Sequence, residues 1–234
     1  MTAFHLATIA INQTPLDWSG NQARILAALD PQSFASRPDI VLFPELSVSG
    51  YGCEDAFHAI DTARRSLNAL AQVARESRTL LPGTLIALGL PVRHEGRIYN
   101  CQAFVLDGRV IGIVPKRNLA GDGVHYEPRW FVADRDITQR AWRPGPEYGE
   151  LPASTLELLD GQPANAPAAG VPFGPLLIEH RGVRMCAEIC EDAWVSQGPA
   201  ALHAGRELDL VLNPNASHFA FDKYKTRREI ACAA

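Results

Sequence analysis

Three apolar segments of this chain each lead to a side chain that can take part in catalysis. Residues 40–43 lead to Glu45, residues 110–114 lead to Lys116, and a third segment leads to Cys190. A thiol at the end of a buried strand is held on a rigid backbone yet can stay open to a substrate, as a nucleophile requires. The sequence therefore predicts one site that combines a carboxylate, an ammonium group and a thiol.

These three groups could together hydrolyse an amide. Glu45 could take the proton of the Cys190 thiol and later hand it to the leaving amine. A nearby Lys116 ammonium would favour the thiolate and stabilise the developing oxyanion. The product is a thioester on Cys190, which is hydrolysed when the same carboxylate activates a water molecule.

Each residue taken alone also has a simpler explanation. Glu45 could be a solvent-facing acid in a loop, and Lys116 a surface base. Cys190 could be a buried structural cysteine, which is the common state of a free thiol. The two carboxylates that directly follow Cys190 argue against a purely apolar position. Cys186, on the same strand, is expected to face the core.

Composition excludes several classes of partner. The 234 residues carry a formal net charge of −4, without the basic patch that nucleic acids or membranes attract. The amino terminus lacks the pattern of a secretory signal, and no apolar run approaches the length of a membrane span. Five cysteines and no signal favour a reducing, cytoplasmic location. Without HExxH or CxxC spacing, no metal site is expected.

The hydrophobic pattern predicts a mixed sheet with helical cover, in the α/β (α+β) class. Strands are predicted over residues 4–11, 39–43, 83–92, 98–106, 110–114, 175–179, 183–189 and 208–212. Helices are predicted from an N-cap at Ser19 to about Leu29, over residues 60–77 and over residues 224–234. Hairpin turns are expected at Asp107-Gly108 and near Arg181-Gly182.

Two stretches do not fit this regular pattern. Residues 120–174 are rich in proline and glycine, which predicts a lid, a contact surface, a disordered segment or a plain surface excursion. The last residues end inside an apparently helical run without a cap. We therefore expect that residues 1–234 form one incomplete domain of a longer protein.

Three ordered motifs resemble the nitrilase superfamily of carbon–nitrogen hydrolases. They are Phe-Pro-Glu-Leu at residues 43–46, Pro-Lys-Arg at 115–117 and Glu-Ile-Cys-Glu-Asp at 188–192. Further matches are similar to the glutaminase domain of glutamine-dependent NAD synthetases, and the resemblance runs from Phe4 to about Ala231. These matches are Gly50-Tyr51, Glu54-Asp55, residues 119–123, 126–131 and 213–217, Lys223, and Arg227-Arg228.

The resemblance implies an αββα sandwich and assigns the catalytic roles. Glu45 would be the general acid and base, Lys116 would stabilise the oxyanion, and Cys190 would attack the side-chain amide of L-glutamine. Glu127 matches a glutamate that positions the lysine, although by itself it could be an ordinary loop acid.

The resemblance also implies residues that hold the glutamine. Ser217, Lys223 and Glu191 fall at such positions, although an N-cap serine and a surface lysine are the simpler explanations. Many members carry a tyrosine six residues after the lysine, where this chain has Asp122. Asp122 could pair with the substrate ammonium, and Tyr126 is a candidate replacement for the tyrosine.

The implied partners go beyond this segment. Synthetases of this kind carry a second domain that uses ATP and Mg²⁺ to amidate deamido-NAD with the released ammonia, and they are expected to be homo-oligomers. No ATP-binding loop occurs in this sequence, and no cofactor is expected in the segment itself. Two alternatives stay open: a free-standing amidase, carbamoylase or nitrile hydrolase, and an inactive truncated module that serves assembly.

Overall fold

A computed structural model describes residues 3–145, 148, 151, 155 and 170–233, and its strands form two sheets. The strands are β1 (Leu6–Thr8), β2 (Ile40–Leu42), β3 (Leu85–His94), β4 (Arg97–Leu106), β5 (Arg109–Pro115), β6 (Arg140–Trp142), β7 (Val171–Phe173), β8 (Ile178–His180), β9 (Val183–Ala187) and β10 (Leu210–Leu212). The α-helices are α1 (Trp18–Ala28), α2 (Ile60–Leu80), α3 (Glu127–Trp130) and α4 (Lys223–Ala233). Short 3₁₀ helices span Pro31–Ser33, Glu54–His58, Cys190–Trp194 and Pro199–His203.

The first sheet is mixed and has seven strands in the order β1-β2-β3-β4-β5-β7-β6. β2 is parallel to β1 and β3, whereas β4 is antiparallel to both β3 and β5. β2, β3 and β5 therefore run in the same direction, and their carboxyl ends meet at one edge. The second sheet has three strands in the order β10-β9-β8.

Alternation of side chains along the strands separates two hydrophobic layers. Val41 and Phe43 pack in a cluster that includes Leu67 of α2, so this face of the first sheet is covered by helices. Ile40 and Leu42 point the other way, into a cluster with residues of the second sheet. This arrangement confirms the mixed α/β prediction, with two sheets packed face to face.

The turn chemistry accounts for three hairpins, of which two were predicted. Asp107-Gly108 joins β4 to β5, and Arg181-Gly182 joins β8 to β9, all four residues having positive φ. A third turn at Glu95-Gly96 joins β3 to β4 and was not expected. The hydrophobic pattern predicts strands over residues 83–92 and 98–106 without a turn between them, although Gly96 is the same kind of signal as Gly182 in the predicted Arg181-Gly182 turn.

The predicted N-cap of α1 is wrong. The helix begins at Trp18, and the carboxylate of Asp17 accepts a hydrogen bond from the Gly20 N–H at 3.0 Å. Asp17 therefore satisfies one of the free N–H groups of the first turn, a task assigned to Ser19 from the sequence.

The stretch 120–174 is not a plain surface excursion in its described part. It contains α3, β6 and β7, and β7 pairs with β5 while β6 pairs with β7 at the sheet edge. Trp142 and Tyr148 are buried. These elements have four residues or fewer, too short to show a period in the sequence. Residues 146–147, 149–150, 152–154 and 156–169 lie outside the described residues, as does Ala234 of the predicted last helix.

Across the part of the chain that the structure describes, no helix combines the length and hydrophobicity needed to cross a bilayer. The five cysteines are all free thiols.

Gly89 of β3 lets the loop that carries Glu45 approach the sheet. A Cβ atom there would lie 2.3 Å from the Leu46 nitrogen and 2.5 Å from the Pro44 oxygen.

We expect Gly89→Ala to lower the free energy of unfolding by about 1–3 kcal/mol, because the backbone must shift. Urea unfolding measures this. Gly52→Ala is the matched control, and an equal loss in both variants would contradict the close-approach argument.

Candidate active site

The structure brings the three predicted catalytic residues together at one end of the two sheets. Glu45 follows β2, Lys116 follows β5 directly, and Cys190 begins the 3₁₀ helix after β9. All three residues are buried. The first two come from the seven-stranded sheet and the thiol from the three-stranded one. The site is therefore assembled across the interface between the sheets.

Lys116 lies between two carboxylates. Its Nζ donates to Glu45 Oε1 at 2.6 Å and to Glu127 Oε1 at 2.8 Å, and all three side chains are 0 % exposed. Burial alone would lower the pKa of Lys116, but the two carboxylates outweigh it and raise the pKa above its ordinary value. The lysine is thus held as an ammonium ion.

The remaining carboxylate oxygens are also paired. Asn100 Nδ2 donates to Glu45 Oε1 at 2.8 Å, and the Ala216 N–H donates to Glu45 Oε2 at 3.0 Å. The Ala120 N–H donates to Glu127 Oε2 at 2.8 Å. Burial, followed by the negative charge of Glu45, raises the pKa of Glu127, and Lys116 opposes the shift. Buried charges persist only when paired in this way.

An ammonium group has three N–H donors, and Lys116 uses two of them on the carboxylates. Within the described residues no further acceptor is assigned to its Nζ. One donor is therefore left for a bound molecule.

A chain of hydrogen bonds links Glu127 to the surface. Tyr51 Oη donates to Glu127 Oε1 at 2.9 Å and lies 3.2 Å from His125 Nδ1, while His125 Nε2 lies 3.1 Å from His218 Nδ1. Because Tyr51 donates its only proton to the carboxylate, His125 Nδ1 donates to the Tyr51 oxygen. Burial lowers the pKa of His125 and favours its neutral ring, whose Nε2 then accepts from His218 Nδ1. Every donor in the chain points towards Glu127.

Cys190 is held in an unusual backbone conformation, with φ at 48°. Its N–H donates to the Pro214 carbonyl at 2.9 Å, and its Sγ lies 3.4 Å from Ser217 Oγ. Burial and then Glu45 raise the pKa of the thiol to about 11, against the opposing effect of Lys116. The sulfur is therefore protonated at neutral pH and needs a base to become a nucleophile.

Cys186 faces the interior, as the sequence predicted. It is fully buried on β9, and burial raises the pKa of its thiol to about 12.

A cavity of about 360 Å³ opens beside the Cys190 sulfur. Its lining combines both signs of charge with imidazole and hydroxyl groups. The residues that contact it are Ala120, Asp122, Gly123, His125, Cys190, Glu191, Trp194, Ser217, His218, Lys223 and Thr226. Lys223 Nζ sits 5.7 Å from the centre of the Trp194 ring. Burial, and next the charge of Asp122, raises the pKa of Glu191.

Four of the five residues predicted to hold a ligand thus contact this cavity, namely Asp122, Glu191, Ser217 and Lys223. Tyr126 does not. Its side chain is 62 % exposed, and the residue stands directly before α3. His125, its neighbour, contacts the cavity instead.

Sequence reasoning missed Asn100, the role of Tyr51, and the two histidines of the cavity. Asn100 carried a usable signal, because a polar side chain stands in the middle of an apolar strand with buried neighbours on both sides. The histidines carried none, since they lie in loops far apart in the chain. No group of three or more His, Cys, Asp or Glu side chains suited to a metal occurs among the described residues.

Comparison with known proteins identifies relatives of the whole chain. The family model described as carbon-nitrogen hydrolase matches residues 5–234. A glutamine-dependent NAD(+) synthetase of Arabidopsis thaliana is 32 % identical over 97 % of this chain and 29 % of its own length. The corresponding Saccharomyces cerevisiae protein is 30 % identical over 96 % and 29 %. The chain thus spans less than a third of these relatives.

Solved structures show the same fold. A glutamine-dependent NAD(+) synthetase from Cytophaga hutchinsonii has a TM-score of 0.78 and 32 % identity, and the match covers 98 % of this chain and 33 % of that one. An amidase of the nitrilase superfamily from Nesterenkonia has a TM-score of 0.67 with 20 % identity, covering 98 % and 71 %. The second likeness concerns the fold alone. Both confirm the predicted nitrilase-like architecture.

Removal of the buried ammonium should destabilise the protein. We expect Lys116→Met to lower the free energy of unfolding by about 3–5 kcal/mol at neutral pH, because two carboxylates then stay buried without a cation. Burial already raises the pKa of Glu127, and Lys116 opposes that shift. Without the lysine the folded protein should bind a proton more readily than the unfolded chain, so the deficit should shrink as the pH falls.

Urea unfolding at several pH values measures both effects. Lys225→Met is the control, since this lysine pairs with Asp222 on the surface and is 73 % exposed; its loss should cost at most about 1 kcal/mol. A deficit in Lys116→Met that does not change between neutral and mildly acidic pH would contradict the charge argument.

Proposed function

This chain belongs to the carbon–nitrogen hydrolase family, and we propose that it hydrolyses the side-chain amide of L-glutamine through a thioester on Cys190. The observation that carries the proposal is the cavity beside the thiol, which is lined by Asp122, Glu191 and Lys223. A free amino acid brings an ammonium and a carboxylate, and side chains of opposite charge can pair with each. A simple aliphatic amide would leave these groups without partners.

The first half of the reaction forms the thioester. Glu45 accepts the thiol proton, and the sulfur of Cys190 attacks the amide carbon. The carbonyl oxygen becomes an oxyanion, which the remaining N–H of Lys116 stabilises. Glu45 then gives its proton to the amide nitrogen, the carbon–nitrogen bond breaks, and ammonia leaves.

The second half restores the enzyme. Glu45 takes a proton from a water molecule, whose oxygen attacks the thioester carbon, and Lys116 again holds the oxyanion. The carbon–sulfur bond breaks, glutamate leaves, and Cys190 recovers its proton from Glu45. The sum is glutamine plus water to glutamate plus ammonia.

Glu127 supports the reaction without touching the substrate. Lys116 and Tyr51 occupy its Oε1, and the Ala120 N–H occupies its Oε2. Its charge helps to keep Lys116 protonated while Glu45 gains and loses a proton. We therefore assign Glu127 to positioning the lysine and Glu45 to proton transfer.

We extend the proposal to the longer proteins in which such a segment occurs. The relatives are glutamine-dependent NAD(+) synthetases of which this chain spans 29 %. The ammonia would pass to a synthetase domain that uses ATP and Mg²⁺ to amidate deamido-NAD, in a homo-oligomer. No residue of this segment is assigned to ATP or Mg²⁺.

A glutamine analogue that carries a diazo-ketone tests nucleophile and pocket together. We expect one adduct, on Cys190, because the activated thiol attacks an electrophile held at the position of the amide carbon. Intact mass and peptide mapping locate it, and excess glutamine should block it. An adduct on Cys186 or Cys53 would overturn the assignment. If neither the folded segment nor the full-length protein forms an adduct, the glutamine proposal is wrong.

Turnover separates the roles of the three catalytic groups. Cys190→Ala should abolish ammonia release, whereas Cys186→Ala, a small change in the core, should retain it. Lys116→Met should lower kcat per folded molecule by about 10²–10³, the effect of losing an oxyanion donor. Ammonia release from glutamine is measured, with thermal unfolding as the check on fold. Equal losses in the two cysteine variants would show that the nucleophile is misassigned.

A further inference from the structure

Asp192 ties the turn that carries the nucleophile to the segment that carries the lysine. It lies two residues after Cys190 in the same 3₁₀ helix, and its side chain is buried. We propose that Asp192 is a positioning residue, which fixes Cys190 against Lys116 across the interface between the two sheets. Its effect on turnover rests on the proposed glutamine hydrolysis, but its effect on the thiol does not.

Four N–H groups converge on this one carboxylate. Oδ1 accepts from the Asn118 N–H at 2.7 Å, from Asn118 Nδ2 at 3.0 Å and from the Arg117 N–H at 3.2 Å. Oδ2 accepts from the Ile189 N–H at 2.9 Å. The donors come from both sides of the interface: Ile189 precedes Cys190, whereas Arg117 and Asn118 directly follow Lys116.

Hydrogen bonds between paired strands cannot fix the position of Cys190 against Lys116. Lys116 follows β5 of the seven-stranded sheet, and Cys190 follows β9 of the three-stranded sheet. Between the sheets lies apolar packing, which is not directional. Hydrogen bonds to an ionised carboxylate are short and directional, so they can set the separation of two groups to a fraction of an ångström. Catalysis depends on such placement, since an error of about 1 Å can cost a factor on the order of 10².

The contacts call for a carboxylate in particular. Every partner is a donor, and an ionised aspartate offers acceptors only. An asparagine of the same size would turn an NH₂ group towards one of these N–H groups. Burial raises the pKa of Asp192 to about 7 against the opposing effect of the N–H donors. Assays at a pH of about 8 or above therefore address the ionised form.

Alkylation of Cys190 tests the proposal without glutamine. The rate of reaction with iodoacetamide follows the thiolate fraction, and peptide mapping assigns it to one cysteine. In the wild type we expect the rate to rise towards a pH of about 11. In Asp192→Asn we expect the profile to shift along the pH axis, because the thiol no longer lies at set distances from Glu45, which raises its pKa, and from Lys116, which lowers it. A shift of about one unit changes the rate about tenfold at a fixed pH below the pKa.

Turnover is measured on the same full-length samples. We expect kcat for Asp192→Asn to fall by a factor on the order of 10², with a smaller change in KM. Asp136→Asn is the matched control, because Asp136 also accepts a backbone N–H, from Thr138 at 2.9 Å, but lies outside the site. This substitution should leave both the pH profile of alkylation and kcat unchanged.

A folded Asp192→Asn with wild-type alkylation and wild-type kcat would overturn the proposal. If this variant does not fold, Asn118→Ala decides, since it removes one donor only and should shift the alkylation profile by less. An unchanged profile there would also overturn it. If the wild type releases no ammonia while the alkylation shift is observed, the positioning role stands and the proposed substrate fails.

Discussion

The structure of the site depends on one ammonium group buried between two carboxylates. Lys116 touches Glu45 and Glu127, and none of the three side chains reaches solvent. Such a cluster is stable only if its remaining oxygens find donors. Asn100 of β4 and backbone N–H groups of two loops supply them. These two loops therefore have to pass close to the carboxylates, so that their N–H groups can donate to them.

The two carboxylates share a lysine but differ in what else holds them. Glu127 is bound on both oxygens by groups of the protein, including the Tyr51 hydroxyl and the Ala120 N–H. Glu45 presents Oε2 to the Ala216 N–H, next to Ser217, which contacts the Cys190 sulfur. The peptide that binds Glu45 thus leads directly to the residue that contacts the thiol, whereas the donors to Glu127 come from Tyr51 and from the loop before α3. This difference in surroundings supports the proposed division of roles, with proton transfer at Glu45 and positioning of the lysine by Glu127.

Sequence patterns predicted the parts of this site that strand ends determine. An apolar strand that stops at a polar residue predicts where that residue lies, so Glu45, Lys116 and Cys190 could be placed together. Asn100 and Asp192 depend on which side chain faces which across the sheets, and that geometry comes from tertiary packing. β6 and β7 have three residues each, too few for a period. The homo-oligomer and the role of a synthetase domain stay predictions.

The hydrogen bond from the Ala216 N–H to Glu45 joins positions that are 171 residues apart. Contacts of such sequence separation form late, because closing a long loop costs entropy before the contact repays it. During synthesis, the base emerges early and the thiol, with the loop that faces it, emerges near the end of this segment. The growing segment therefore carries the base without its thiol for most of its synthesis, and the proposed amide cleavage must wait until the two sheets have closed on each other.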